Sequence, residues 1–227
     1  MISLKTISTG SVGNMYILDC NGRKLIIELG MAYRDLLLNI DDIREIDGAI
    51  CTHKHSDHWQ EKIEKQLFGL GIETLLPENT QIGKRYKLGD FDIIPLPAKH
   101  DVTCQSYLIK ANGTNILFAT DTQVLPIVKN IKIDYFIVEV NFIEQIREQA
   151  VLQCDDAHLG KVYQTHHSLE NAVEYFERLS YKAKKIVTIH KSSSGLFSKE
   201  ETIKRLSQFA EDVFVAENGS YYELQEN

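Results

Sequence analysis

Residues 49–59 read AICTHKHSDHW. A chain with only eight histidines places three of them, with an aspartate, inside this short stretch: His53, His55, Asp57 and His58 form H-x-H-x-D-H directly behind a short apolar run. The cluster means a metal site only if other ligands arrive from elsewhere in the chain.

They arrive at the ends of apolar runs. GAICT ends in His53, FDIIPLPAK in His100, TNILFAT in Asp121 and KKIVTI in His190. Runs of this length bounded by polar residues read as strands buried on both faces, and in α/β proteins the site usually lies at the carboxyl ends of the strands. One rim therefore gathers every ligand. Taken singly, His100, Asp121 and His190 carry little weight: a strand-end histidine is more often a hydrogen-bonded or surface residue, and T-D after a strand is a common turn start. Their recurrence behind a compact H-x-H-x-D-H carries the reading.

Imidazole with carboxylate suits zinc, and also manganese or iron, whereas nothing nearby offers the thiolates of a structural zinc finger. In an extended segment His53 and His55 point to the same side and can share one ion. Asp57 and His58 follow where the loop is expected to enter a helix near Trp59, and suit a second. His100 then completes the first site, His190 the second, and Asp121 bridges them. Two ions roughly 3.5–4 Å apart can hold a bridging hydroxide as nucleophile. Two divalent ions against two aspartates and a hydroxide leave net positive charge, which welcomes an anionic phosphodiester and equally polarises a carbonyl.

The rest of the sequence sets the frame. With 227 residues, 43% hydrophobic and 25% charged, the chain is expected to form one soluble domain over 1–227. Its longest apolar runs, such as IDYFIV at 133–138, fall far short of the roughly 20 residues of a membrane helix. The N-terminus alternates apolar and polar residues and lacks a secretory pattern, so a cytoplasmic location with no membrane partner is the expectation. Cys20, Cys51, Cys104 and Cys154 are widely spaced with no C-x-x-C and read as reduced cysteines. A net charge of -7 argues against a globally basic nucleic-acid binder. Oligomeric state leaves no signal. Asn21-Gly22 and Asn112-Gly113 mark hairpins. Ser168 with Asn171, and Ser198 with Glu201, mark helix starts.

The segments HKHSDH, AKHD, FATDT and VTIHKSS, in this order, resemble the metallo-β-lactamase superfamily along essentially the whole chain. STGSVGN and THHSLENA are similar to the opening turn and the H-x-S element of its single-domain prokaryotic and phage-type branch, whose neighbours include DNA exonucleases, ribonuclease Z and cyclic phosphodiesterases. The resemblance implies an α/β fold, a four-layer αβ/βα sandwich, with a dinuclear site at the sheet edges. It places His53, His55 and His100 on one metal, Asp57, His58 and His190 on the other, and Asp121 between them. All seven are present, which argues against a non-catalytic metal-binding copy, and H-x-H in place of H-x-E argues against the flavodiiron redox branch. The expected activity is hydrolysis of a phosphodiester, nuclease-like on DNA or RNA, with Asp57 at the catalytic centre. A small-molecule ester, thioester, lactone or cyclic phosphodiester is the alternative substrate.

A leaving oxygen needs a proton, and His166 or His167 is placed to give it: the H-x-S pattern selects His166, and the H-S pattern of ribonuclease Z selects His167. His166 is preferred. Glu139, at the end of IDYFIV, resembles the acid that pairs with a histidine in ribonuclease Z, against the reading of a solvated strand-end glutamate. Ser11, Gly13 and Asn14 fit a tight turn near the site. Lys191, Ser192 and Ser193 fit either phosphate donors or a helix-entry loop, and His158 an exposed helix. Lys84, Arg85 and Lys87, with Lys182, Lys184 and Lys185, read as solvated faces. The long basic insertion with which ribonuclease Z holds tRNA has no counterpart here.

Overall fold

The computed structural model describes residues 1–153 and 165–225. Two sheets face one another. The first has the order β13 (Tyr221–Gln225), β1 (Ile2–Ser8), β2 (Met15–Cys20), β3 (Arg23–Ile27), β4 (Ile46–Ile50), β5 (Thr74–Leu75). The second has the order β12 (Ala210–Val215), β11 (Ala183–Ile189), β10 (Tyr135–Glu139), β9 (Thr114–Ala119), β8 (Gln105–Ala111), β7 (Phe91–Pro97), β6 (Tyr86–Leu88). Helices α1 (Tyr33–Leu37), α2 (Glu61–Gly69), α3 (Glu144–Gln153), α4 (Leu169–Glu177) and α5 (Lys199–Leu206) flank the sheets, with short 3-10 turns at Ile43–Glu45 and Pro77–Asn79.

The layering follows from the two-residue period of the strands. Tyr16 and Leu18 of β2 turn inward to meet Ile116 and Phe118 of β9, with the Tyr16 and Phe118 rings edge-on at 5.7 Å. Ile17, between them, turns outward with Ile26 and Ala49 onto Leu36 of α1 and Ile63 and Leu67 of α2. On the far side, Leu117, Phe136 and Val138 cover Leu169, Ala172 and Phe176 of α4 and Leu206 of α5. The result is helices, sheet, sheet, helices, the sandwich that the motif order implied. Both N-G pairs make two-residue hairpins with positive φ at each residue, joining Cys20 to Arg23 and Ala111 to Thr114. Ser168 and Ser198 cap α4 and α5, each hydroxyl accepting the N–H three residues on.

Strand direction creates the rim. β8 runs antiparallel to both β7 and β9, while β9, β10 and β11 are mutually parallel. The carboxyl ends of β7, β9, β10 and β11 therefore lie together, and they deliver His100, Asp121, Glu139 and His190. β7 departs from the expectation of burial on both faces: as an antiparallel strand near the sheet edge it alternates buried and partly exposed residues. The basic groups are engaged locally, Arg85 with Asp92, Lys184 with Asp134 and Lys185 with the Glu223 carbonyl. No helix among the described residues is long and apolar enough to cross a membrane.

Candidate metal centre

β4 ends at Ile50 and the chain enters the rim as a buried loop, with Thr52 and His53 fully covered. The N–H groups of His58 and Trp59 both donate to the His55 carbonyl, at 2.9 and 2.8 Å. This tight turn swings Asp57 and His58 away from His53 and His55. It also delays α2 to Glu61, two residues beyond the start read from the sequence.

Side chains far apart in sequence then converge. Donor atoms of His53, His55, His100 and Asp121 lie within 4.8 Å of one another, and so do those of Asp57, His58, Asp121 and His190. Asp121 belongs to both groups. Its Oδ2 is 3.3 Å from His58 Nε2, 3.7 Å from His53 Nε2 and 3.9 Å from His100 Nε2, and its Oδ1 is 3.2 Å from His190 Nδ1. Asp121 and His190 sit just past their strands in the left-handed region, at φ of 47° and 53°. Such backbone costs non-glycine residues about 1–3 kcal/mol, and here it accompanies the aim of both side chains into the cluster.

In His53, His100 and His190 one ring nitrogen is occupied. His53 Nδ1 meets the Thr52 hydroxyl at 2.9 Å, His100 Nδ1 donates to the Thr165 carbonyl at 3.1 Å, and His190 Nδ1 meets Glu139 Oε1 at 3.1 Å. His55 turns its Nε2 to Asp101, 3.3 Å away, and leaves Nδ1 to the cluster. Buried His53 Nε2 and His190 Nε2 have no hydrogen-bond partner among the described residues. Fixing one ring nitrogen and freeing the other is how a protein prepares a histidine for a metal. The donor set and these two orphaned nitrogens fit divalent cations.

The charges point the same way. Burial pushes His53 down to about 2. Burial also presses on His190, but the Asp121, Asp57 and Glu139 carboxylates outweigh it and raise the ring to about 10. Asp121 is opposed by burial and held well below its ordinary range by His190 and His58. Without a cation, the carboxylates are thus balanced by protons on histidines.

A histidine raised in the folded state contributes stability that is whole below its unfolded value of roughly 6.5 and is lost as pH rises through the folded value. His190 therefore makes the metal-free protein less stable between about 6.5 and about 10. Buried neutral His53 acts in the opposite sense, since below about 6.5 the unfolded chain binds a proton that the folded one refuses. Metal-free stability should peak near neutrality, and zinc, replacing the protons, should flatten the alkaline fall. Urea midpoints across this range, with and without zinc, check it; an equally flat metal-free profile would refute it.

Several supporting residues escaped the sequence reading. Glu28, directly after the last residue of β3, is fully buried with φ of 64°. Its carboxylate accepts from the Cys51 thiol at 3.1 Å and the Thr52 N–H at 3.2 Å, and lies 3.5 Å from His58 Nδ1. An acid closing an apolar run is the same signal that marked Asp121, and it was present in the sequence. Glu28→Ala should lower stability by about 2–4 kcal/mol, because buried donors lose their acceptor, and weaken metal affinity roughly 10–100-fold. Chemical denaturation and chelator competition read the two effects separately.

The STGSVGN turn is tied to the same loops. The Asn14 amide nitrogen lies 3.2 Å from the Asp57 carbonyl and 3.0 Å from His58 Nε2, and Thr9 Oγ1 accepts the His190 N–H at 2.8 Å. Gly30 is needed for close approach: a Cβ there would stand 1.8 Å from the Asp57 carbonyl oxygen.

The structure sends His166 and His167 different ways. His166 Nδ1 lies 2.7 Å from Glu139 Oε1, and its ring stacks on His190 at 5.3 Å. His167 Nδ1 faces the Gln123 carbonyl. Glu139 is no solvated strand end: it is wholly buried and meets both His166 and His190. Ser192 donates its N–H to the Asn141 carbonyl, which ties its loop to the segment after β10. His158 and Cys154 lie outside the described residues, while Cys20, Cys51 and Cys104 are free thiols.

Residues 29–191, more than half of the chain, match the family described as the beta-lactamase superfamily domain. The chain belongs to this family. A curated relative, exodeoxyribonuclease WalJ of Streptococcus pneumoniae, is 25% identical over 88% of this chain and 83% of its own length. The metallo-beta-lactamase fold protein YhfI of Bacillus subtilis superposes with a TM-score of 0.69 at 15% identity, over 97% of this chain and 98% of that one. The short form of human tRNase Z gives 0.62 at 13% identity, over 99% and 100%. The family match and both superpositions agree on the fold, and that fold carries the rim of donors found here.

Proposed function

We propose that this member of the beta-lactamase superfamily is a dinuclear metal-dependent hydrolase of phosphodiesters, acting on DNA or RNA. The observation that carries this reading is the pair of four-donor clusters sharing Asp121, with the His166–Glu139 pair beside them. The similarity to an exodeoxyribonuclease supports the choice of a nucleic acid.

His53, His55, His100 and Asp121 would hold one ion, and Asp57, His58, His190 and Asp121 the other; zinc, manganese and iron all match these donors. Bound there, such ions supply Lewis acidity and lower the pKa of water. The chain's own residues do the rest. Asp57, at 22% side-chain exposure the more open of the two cluster aspartates, takes a proton from the attacking water. His166, half-open to the rim and oriented through Nδ1 by Glu139, gives a proton from Nε2 to the leaving oxygen. Glu139 keeps the ring charged and aimed.

The test is a panel of substrates on protein reconstituted with zinc or manganese: an activated phosphodiester, single- and double-stranded DNA, RNA, a thioester and a lactone, with Asp57→Ala alongside. Turnover of the phosphodiesters that disappears in Asp57→Ala is the expected result. Turnover of the thioester or lactone alone would overturn the substrate class.

A further inference from the structure

The donors of the rim do not end with the two clusters. Asp121, Glu139, His166 and His190 offer four further atoms, all within 4.8 Å of one another. Glu139 Oε1 lies 2.7 Å from His166 Nδ1 and 3.1 Å from His190 Nδ1, and Asp121 Oδ1 lies 3.9 and 3.2 Å from the same two nitrogens. Donors held about 2.0–2.1 Å from a tetrahedral zinc stand roughly 3.3–3.4 Å apart. The four separations bracket that value.

Most of these atoms are left over by the other two clusters. Asp121 turns Oδ2 to His53, His58 and His100 and keeps Oδ1 for this side, where the Thr120 hydroxyl also donates to it at 2.9 Å. Glu139 Oε2 accepts the backbone N–H groups of Thr122 and His167, at 3.4 and 3.3 Å, which aims Oε1 at the two rings. His190 faces Asp57 with Nε2, 3.6 Å away. Once that nitrogen serves the second cluster, His190 can add Nδ1 here only by shedding its last ring proton. His166 Nδ1, Glu139 Oε1 and Asp121 Oδ1 then remain, and three protein donors with one open position are a standard zinc arrangement. The His166 side chain, 18% exposed, is the way in, since those of Glu139, Asp121 and His190 are closed off.

We propose that His166 Nδ1, Glu139 Oε1 and Asp121 Oδ1 form a third divalent-cation site, weaker than the other two, through which excess zinc inhibits turnover. Ion uptake stands on these donors alone, whereas the effect on turnover rests on the phosphodiester reading. The exchange balances: as the ion binds Nδ1, the proton that Nδ1 shares with Glu139 leaves to solvent. A ring protonated on both nitrogens gives up its Nε2 proton and ends neutral. With an ion on Nδ1 the same ring would end as an anion. His166 therefore keeps its Nε2 proton and no longer supplies the leaving oxygen.

Zinc titration of the metal-free protein, read by equilibrium dialysis and elemental analysis, tests the site. Reconstituted to two equivalents, the wild type, His166→Ala and Glu139→Gln should hold the same metal. In excess zinc the wild type should take up one equivalent more than either variant. Equal uptake by all three in excess zinc overturns the site, whatever the substrate of the protein. Excess zinc should also slow wild-type cleavage of a nucleic-acid linkage about 10²-fold, the low end of what a general acid supplies. A diester that expels p-nitrophenolate needs no proton and should be slowed little; equal slowing of both overturns the inhibition. Uptake of the extra equivalent without turnover of either diester at two equivalents of zinc would sink the hydrolase reading and leave the site standing.

Discussion

Asp121→Ala should lower turnover at least about 10³-fold and remove metal from both clusters together. A loss of that size corresponds to about 4 kcal/mol of transition-state stabilisation, within what the electrostatics of a two-metal site supply. The reason is position: one carboxylate, almost wholly buried, lies within 3.9 Å of His53, His58, His100 and His190. His100→Ala, by contrast, withdraws a donor from one cluster only and should leave ion binding at the other. In the metal-free protein Asp121→Ala should also cost about 3–5 kcal/mol, the usual effect of stripping a buried charge of its partner, because the raised protonation of His58 and His190 depends on this carboxylate. Elemental analysis after reconstitution and urea unfolding read both effects. A variant that keeps full metal content would defeat the assignment of Asp121 as the shared ligand.

The second large effect is expected at His166. His166→Ala should reduce kcat by about 10²–10⁴, the range that a positioned general acid supplies, with metal content unchanged. Leaving-group dependence separates an acid from a merely structural residue. A diester that expels p-nitrophenolate needs no proton and should be slowed little, whereas a nucleic-acid linkage that expels an alkoxide should be slowed by the full factor. Equal slowing of both would sink the role. Glu139→Gln should repeat the pattern more weakly, since it keeps a hydrogen-bond acceptor 2.7 Å from Nδ1 but not the charge.

The fold and the donor rim were legible because their signals are local. Each donor closes an apolar run, so strand identity and site position are written in the same few residues, as in TNILFAT before Asp121. Hairpins were read from Asn-Gly pairs that tolerate positive φ, and helix starts from serines that accept an N–H three residues on. Glu28 obeyed the same grammar and was missed because no metal-ligand spacing accompanies it. The start of α2 was missed because a turn closed by the His55 carbonyl uses up the residues where a helix would otherwise begin.

The sequence by itself determined which side chains could be donors and that strand ends would present them, since apolar runs, turn residues and caps act over a few positions. Only the tertiary structure decided who meets whom. It set the imidazole of His166 rather than that of His167 against Glu139, buried that glutamate completely, and brought Asp101 to His55 and Glu28 to His58. His166 and Glu139 are 27 residues apart, and Thr9 and His190 are 181 apart. Contacts over such separations depend on which strands are neighbours and in what register, a property of two closed sheets rather than of any stretch of chain.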